Sequence, residues 1–155
     1  MNMKEIKKIL LPTDFSEVGT VIAAYTQYLS KKFDAEVHLL HVVMNLEHLG
    51  NVYVPEEKIR KIEEETLSGA EKRITGFAAE FLMGLPVKTH IIVGDPAIEI
   101  VKFAEQKNID LIIMGTHGRK GLDKIVFGSV ALRVVKKATC PVLTVNPYLL
   151  KELPF

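Results

Sequence analysis

Leu111-Ile112-Ile113-Met114-Gly115-Thr116-His117-Gly118 is the stretch on which the fold turns. Four consecutive aliphatic side chains leave no wet face. The run therefore reads as a strand covered on both sides, the pattern of a parallel sheet packed between helices. A glycine-rich loop follows, from Gly115 to Gly128, and Ser129–Ala138 then resumes at helical spacing with Val130, Val134, Val135 and Ala138 expected inward. Upstream, Gly94-Asp95-Pro96 opens a helix, with Asp95 as cap, Pro96 in the first turn and Ala97, Ile100, Val101 and Ala104 as its apolar stripe. Val87–Val93 mostly alternates, which suits an edge strand or one with a wet face. A long helix is predicted from Glu56, with Ile59, Ile62, Thr66, Ala70, Ile74, Phe77 and Phe81 on one face, stopped by Gly84 and Pro86. Its glutamate-rich start, Glu56 to Glu65, reads as a solvated face. Val37–Val43 and Ile6–Leu11 are two more aliphatic strands, the latter ending at Pro12. Between them Ser16 is the expected N-cap of a helix carrying Val18, Val21, Ile22, Tyr25, Tyr28 and Leu29. Met44–Pro55 has no period and reads as a loop, and Val142–Val145 is the last strand.

Strands and helices thus alternate, β-α-β-α-β-α-β-α-β. Right-handed crossovers then predict an α/β fold: a doubly wound, Rossmann-like, five-stranded parallel sheet, order 3-2-1-4-5, with helices on both faces. The length, 155 residues, suits one domain over 1–155, with a core of about 4–146 and a C-terminal tail of 147–155. The composition, 48% hydrophobic and 25% charged, excludes disorder as the main state, and the lone Cys140 excludes a disulfide scaffold and reads as a small packing residue. No apolar run reaches about 18 residues, and the polar N-terminus has no signal-peptide core. A cytosolic, soluble protein is expected. The net charge of +1 offers no global attraction to nucleic acid or membrane.

In an open parallel sheet the ligand sits outside the carboxyl ends of the strands, where strand order reverses. The residues there are Pro12-Thr13-Asp14, His41-Val42-Val43 and Met114-Gly115-Thr116-His117-Gly118. Gly115 and Gly118 let backbone approach a ligand and accept positive φ. Gly128-Ser129 opens a helix whose unsatisfied amides favour an anion. From Gly115 to Lys137 there are six basic residues, Arg119, Lys120, Lys124, Arg133, Lys136 and Lys137, against the single acid Asp123. The residues alone leave two readings open: a phosphate cradle, or glycines that turn the chain and a serine that caps a helix. Asp14 is likewise either an acceptor for an exocyclic amine or ribose hydroxyl, or a turn residue or an N-terminal helix charge. His41 is expected to be satisfied within the strand layer. His117 is read as an exposed loop residue, with a phosphate contact as the alternative.

These segments, Pro12-Thr13-Asp14-Phe15-Ser16, Leu39-Leu40-His41-Val42, Gly94-Asp95-Pro96, Ile112 to Gly118, Gly128-Ser129-Val130 and Cys140-Pro141-Val142-Leu143, resemble the universal stress protein (Usp) family from Lys7 to about Val145. The spacing Gly115-x-x-Gly118, nine residues, Gly128-Ser129 is similar to the nucleotide-binding branch. The resemblance implies ATP as ligand, with Asp14 and the Val42 backbone at adenine beside Pro12 and Thr13. Met114 and Gly115 would lie on the ribose side, and Gly118, Gly128, Ser129 and Val130 on the phosphates. A divalent ion, Mg2+ or Mn2+, would be bridged by phosphate oxygens and not held by protein side chains. Gly121 is an additional glycine in the nine-residue spacer, which leaves Arg119 and Lys120 unplaced. The resemblance also implies a homodimer through Val142–Val145, with the apolar tail packed on a partner or on its own domain.

Walker, Gly-x-Gly-x-x-Gly and Gly-x-Ser-x-Gly motifs are absent, and the five histidines show no ligand pairing. No catalytic residue is assigned. A phosphorelay receiver is rejected for want of an acidic cluster, and a flavodoxin-like FMN site has only a thin counterpart in residues 12–16. The expected function is an adenine-nucleotide-binding regulatory module. The alternatives are a dimeric stress-associated interaction protein without functional nucleotide, or a slow ATPase.

Overall fold

The computed structural model describes residues 4–45, 54–117, 127–148, 150 and 152–153. In chain order the elements are β1 (Lys8–Pro12), α1 (Gly19–Phe33), β2 (Glu36–Val43), α2 (Glu56–Phe81), β3 (Val87–Val93), α3 (Pro96–Gln106), β4 (Leu111–Gly115), α4 (Ser129–Lys137) and β5 (Val142–Val145). All strand pairs are parallel and the order is β3-β2-β1-β4-β5, the doubly wound arrangement expected. Each inner strand feeds two cores by period-2 alternation. Ile9, Leu11, Val37, Leu39, Leu111 and Ile113 face α1 and α2, with Ile22, Ala23, Ile74 and Phe77. Leu10, Leu40, Ile112 and Met114 face α3 and α4, with Ile100, Phe103, Ala131 and Val134. The alternating run Val87–Val93 becomes an edge strand, which explains its wetter pattern.

At the amino ends of the strands, Asp110 fastens β4 to β1. Its Oδ2 accepts from the amides of Lys7 at 3.0 Å and Lys8 at 2.9 Å, and Lys4 Nζ lies 2.6 Å from Oδ1. Burial pushes this carboxyl up, but Lys4 and the two amides outweigh it and leave it below the ordinary value.

Three local expectations are corrected. Ser16 does not cap α1; the helix begins at Gly19 with Val18 in the cap position. The Ser16 amide donates to Asp14 Oδ1 at 3.0 Å, so the residue belongs to a turn closed by Asp14. The stripe on α2 is right only in its C-terminal half: Ala70, Ile74 and Phe77 are buried, whereas Ile62 is 45% exposed. At 26 residues the helix is about 39 Å long and outruns the sheet that supports it. On α4 the inward residues are Ala131 and Val134, with Val130 and Ala138 partly buried, while Val135 turns outward. Cys140 also packs partly buried on that core, and burial pushes its thiol up.

Candidate functional site

The cleft arises from how the strands end. β1 pairs with β2 over five positions, to Pro12↔Leu40, but with β4 over only two, Ile9↔Leu111 and Leu10↔Ile112. Proline has no amide proton with which to carry a ladder onward. Beyond these rungs the two central strands part, and each lip is held from its outer side. The Thr13 amide donates to Leu40 O at 2.8 Å, and the Thr116 amide to Val145 O at 2.9 Å. The crevice lies at the reversal of strand order, where this architecture binds ligands.

On the β1 lip, Phe15 stands at φ 58°, in the left-handed region. Local and distant contacts hold it there. Thr13 Oγ1 accepts from the Phe15 amide at 3.1 Å. The Phe15 ring packs 4.4 Å from the His41 ring, 4.5 Å from the Arg73 guanidinium and 6.3 Å from the Phe77 ring. His41 Nδ1 donates to Thr13 O at 2.8 Å, so His41 is satisfied as expected and also props the loop that carries Asp14. Hydrogen-bonding directions alternate along a strand in a parallel pair. Leu40 O points at β1, so the N–H and C=O of Val42 face the same side, past the last β1 rung.

On the β4 lip, the Met114 side chain is buried in the core, so it is the backbone of Met114 and Gly115 that borders the cleft. Gly128 is the N-cap of α4 at φ −60°, and its amide donates to Thr116 O at 2.6 Å. A Cβ on Gly128 would lie 2.7 Å from that oxygen, and one on Gly115 would lie 3.1 Å from His117 O. These two glycines therefore serve close packing of the chain on itself, not positive φ; the described glycines at positive φ are Gly84 and Gly94. The result is a helix start seated on the end of β4. Gly128 has no side chain with which to cap it, so no side chain of the cap residue satisfies the first-turn amides, from Ser129 onward, at this end of the sheet. Ser129 is exposed and Val130 half-buried.

His117 is corrected from exposed to buried, at 7% exposure. Its Nδ1 is 2.7 Å from Thr116 Oγ1 and its ring lies edge-on to Tyr148 at 5.2 Å. Tyr148 thereby folds the start of the tail onto its own chain, while Leu150 and Leu153 are 37% and 44% exposed. Arg133, counted among the basic residues of this segment, is held on both nitrogens by Asp95, Nη1 to Oδ2 at 3.0 Å and Nη2 to Oδ1 at 2.9 Å. That pairing joins residues 38 positions apart and becomes visible only once α3 and α4 share a face. The same holds for Arg73 over Phe15, although Phe15 itself sat in a segment singled out by sequence. Gly118, Arg119, Lys120, Gly121, Asp123 and Lys124 lie outside the described residues. Thus Pro12, Thr13, Asp14, Val42, Met114, Gly115, Gly128, Ser129 and Val130 come to one end of the sheet around one crevice. A separate groove of about 410 Å³ runs along β3 beside α2; Glu71 in its lining makes it a poor place for an anion.

Among known proteins, the model of the universal stress protein family matches residues 5–146. The universal stress protein MJ0531 of Methanocaldococcus jannaschii is 42% identical over 145 residues, covering 90% of this chain and 82% of that one. The solved structure of MJ0577, from the same organism, superposes with a TM-score of 0.79 at 36% identity, over 92% of this chain and 96% of that one. A universal stress protein of Archaeoglobus fulgidus in complex with dAMP has a TM-score of 0.56 at 24% identity, covering 91% of this chain and 98% of that one, a likeness of fold alone. The chain belongs to the universal stress protein family.

Proposed function

We propose that this chain is a regulatory module that binds an adenine nucleotide, ATP with Mg2+ or Mn2+, in the crevice between β1 and β4. The observation that carries the reading is the seat of α4. Gly128, held to Thr116 O at 2.6 Å, seats a helix start without a side-chain cap at the carboxyl end of β4, the strand that parts from β1 after a two-rung ladder. The fit extends to the base end. Asp14 and the backbone of Val42 stand on the opposite lip, an acidic acceptor and a peptide edge of the kind an aminopurine can pair with. Solved relatives in fold include complexes with cAMP and dAMP, so the architecture accommodates an adenine nucleotide. Among the described residues no three His, Cys, Asp or Glu side chains converge as a metal set, so a divalent ion would enter on the phosphate oxygens.

The test is thermal. A ligand that binds only the folded state stabilises by RT ln(1 + [L]/Kd), about 2.7 kcal/mol at a hundredfold excess over Kd. ATP with Mg2+ should therefore raise Tm by several degrees. Ser129→Glu is the control of choice. A carboxylate in the first turn favours the helix start, so the unliganded fold should hold while phosphate is repelled. Gly128→Val is the harsher control, because its Cβ meets Thr116 O. A wild-type protein with no shift at millimolar ATP would give the reading to the alternative, an interaction protein whose nucleotide is absent.

The homodimer through β5 is part of this proposal, and so is a cytosolic location; no described helix is long and apolar enough to cross a membrane. No described side chain stands out as a water-activating base at the crevice, so turnover should be nil or slow. Steady phosphate release above the Ser129→Glu background would show otherwise.

A further inference from the structure

Asp95 and Arg133 meet where the starts of α3 and α4 lie side by side. Asp95 caps α3, its Oδ1 accepting from the Ile98 amide at 3.0 Å. Arg133 stands one turn into α4 and forks onto the same carboxylate at 2.9 and 3.0 Å. Helical side chains lean towards the N-terminus of their own helix. The pair therefore sits beside the end that carries Gly128, Ser129 and Val130. From Ser129 to Arg133 the helix rises about 6 Å, inside the Debye length of about 8 Å at physiological salt. An unpaired carboxylate beside that end of α4 would oppose any anion at the α4 amides. The two side chains are 42% and 41% exposed, so as a stability device the pair is weak. Its placement is better explained by what it does to the field at the crevice.

Resting on the nucleotide reading above, we infer that Arg133 is a positioning residue that sets phosphate-number selectivity by cancelling Asp95, without itself gripping the phosphate. The α4 start can then take a multiply charged chain. With the guanidinium gone, the exposed carboxylate penalises ligands in order of their charge, ATP more than ADP and ADP more than AMP.

The experiment is a set of equilibrium titrations of ATP, ADP and AMP into the full chain, comparing wild type with Arg133→Gln, Asp95→Asn and the double variant. Asp95→Asn keeps a competent cap on α3, so it isolates the charge. Arg133→Gln should weaken ATP about three- to tenfold and AMP less than about twofold, a deficit that shrinks in high salt. Asp95→Asn should leave ATP at or above the wild-type affinity, and the double variant should return to within about twofold of wild type. Arg133→Lys, which keeps the charge and loses the fork, should retain the preference for ATP. A purely structural clamp gives another pattern: Asp95→Asn and Arg133→Gln both weaken all three ligands alike and the double variant is no better. That pattern overturns the inference, as does an unchanged ATP affinity in Arg133→Gln. A wild-type protein that binds none of the three nucleotides overturns the binding reading and this inference with it. A wild type that binds ATP beside an unaffected Arg133→Gln overturns this inference alone. Should Arg133→Gln fail to fold, Arg133→Lys and Asp95→Asn decide the matter, since loss of ATP preference in either one contradicts it.

Discussion

A phenylalanine at φ 58° costs about 1–2 kcal/mol relative to its ordinary backbone regions, and a surrounding framework has to hold it there. Here that framework is the His41 ring, the Arg73 guanidinium and the Thr13 hydroxyl. Asp34 holds nearly the same conformation at φ 51° as the C-cap of α1, but its side chain is fully exposed and its ion pair with Lys7 is a loose 3.8 Å. The two positions should therefore respond oppositely to glycine. Asp34→Gly is expected to stabilise by about 0.5–1 kcal/mol, because glycine takes the left-handed cap without penalty. Phe15→Gly relieves the same strain but strips the ring from three neighbours, and should cost about 1–3 kcal/mol in urea unfolding. It should also weaken nucleotide binding by loosening the loop that carries Asp14. Legibility at this scale follows the range of the interaction. Asp95 as a cap is readable because its partner, the Ile98 amide, lies three residues away. The φ of Phe15, the burial of His117 and the pairing of Arg133 depend on side chains that only the finished fold brings near. Ser16 misleads for a local reason: its amide closes a turn on Asp14, two residues before it, the helix starts only at Gly19, and its hydroxyl caps nothing among the described residues.

Among the elements, α2 and the β2–β3 pair carry the sharpest expectations. Ile74 is 2% exposed and Ile62 is 45% exposed on one helix. Ile74→Ala should cost about 2–4 kcal/mol, and Ile62→Ala less than about 0.5, both read from denaturant midpoints. Periodicity showed the helix but not where its support ends, since that depends on the width of a sheet built from distant segments. The β2–β3 pair holds a histidine couple. Glu36 Oε1 can only accept, so His38 Nε2 donates to it at 2.9 Å. His38 Nδ1 is left to accept from His90 Nε2 at 3.1 Å in the neutral pair, beside the Phe103 ring. Burial foremost, then His38, Lys107 and Lys88, pull His90 below the ordinary histidine value. Lys88 and His38 hold Glu36 below the ordinary carboxyl value. For His90 the unfolded chain takes up the proton first. The stability tied to its neutral form is complete above about pH 6.5 and is lost as pH falls from there through the lower folded value. Thermal melts between pH 8 and 5 should show Tm declining in that window, with a flatter decline in His90→Asn. An equal slope in both proteins would remove His90 as the cause.

At the scale of the whole molecule, the sheet of the described residues ends in two edge strands, β3 and β5, and they differ. β3 presents Lys88, Thr89 and His90, polar residues that discourage pairing, while β5 is short and flanked by exposed apolar side chains: Leu143 on the strand, Leu132 and Val135 on α4, Tyr148 and Leu150 after it. The aliphatic strands and the order of their connections were legible from alternation alone, whereas which edge is left apolar depends on α4 exposing Val135 and on where the tail lies. The ladder says which β5 groups point away from β4. Ile112 N donates to Pro141 O at 3.0 Å and Thr116 N to Val145 O at 2.9 Å, so the odd-numbered residues of this strand face β4. By parallel alternation Val142 and Thr144 present their N–H and C=O outward. Thr144→Pro therefore removes an outward donor without breaking a rung to β4. If two copies join along β5, wild type should sediment as a dimer at micromolar concentration and Thr144→Pro as a monomer. The variant's unfolding midpoint should no longer depend on protein concentration. Wild type sedimenting as a monomer, or Thr144→Pro remaining a dimer, would place any self-association on another surface.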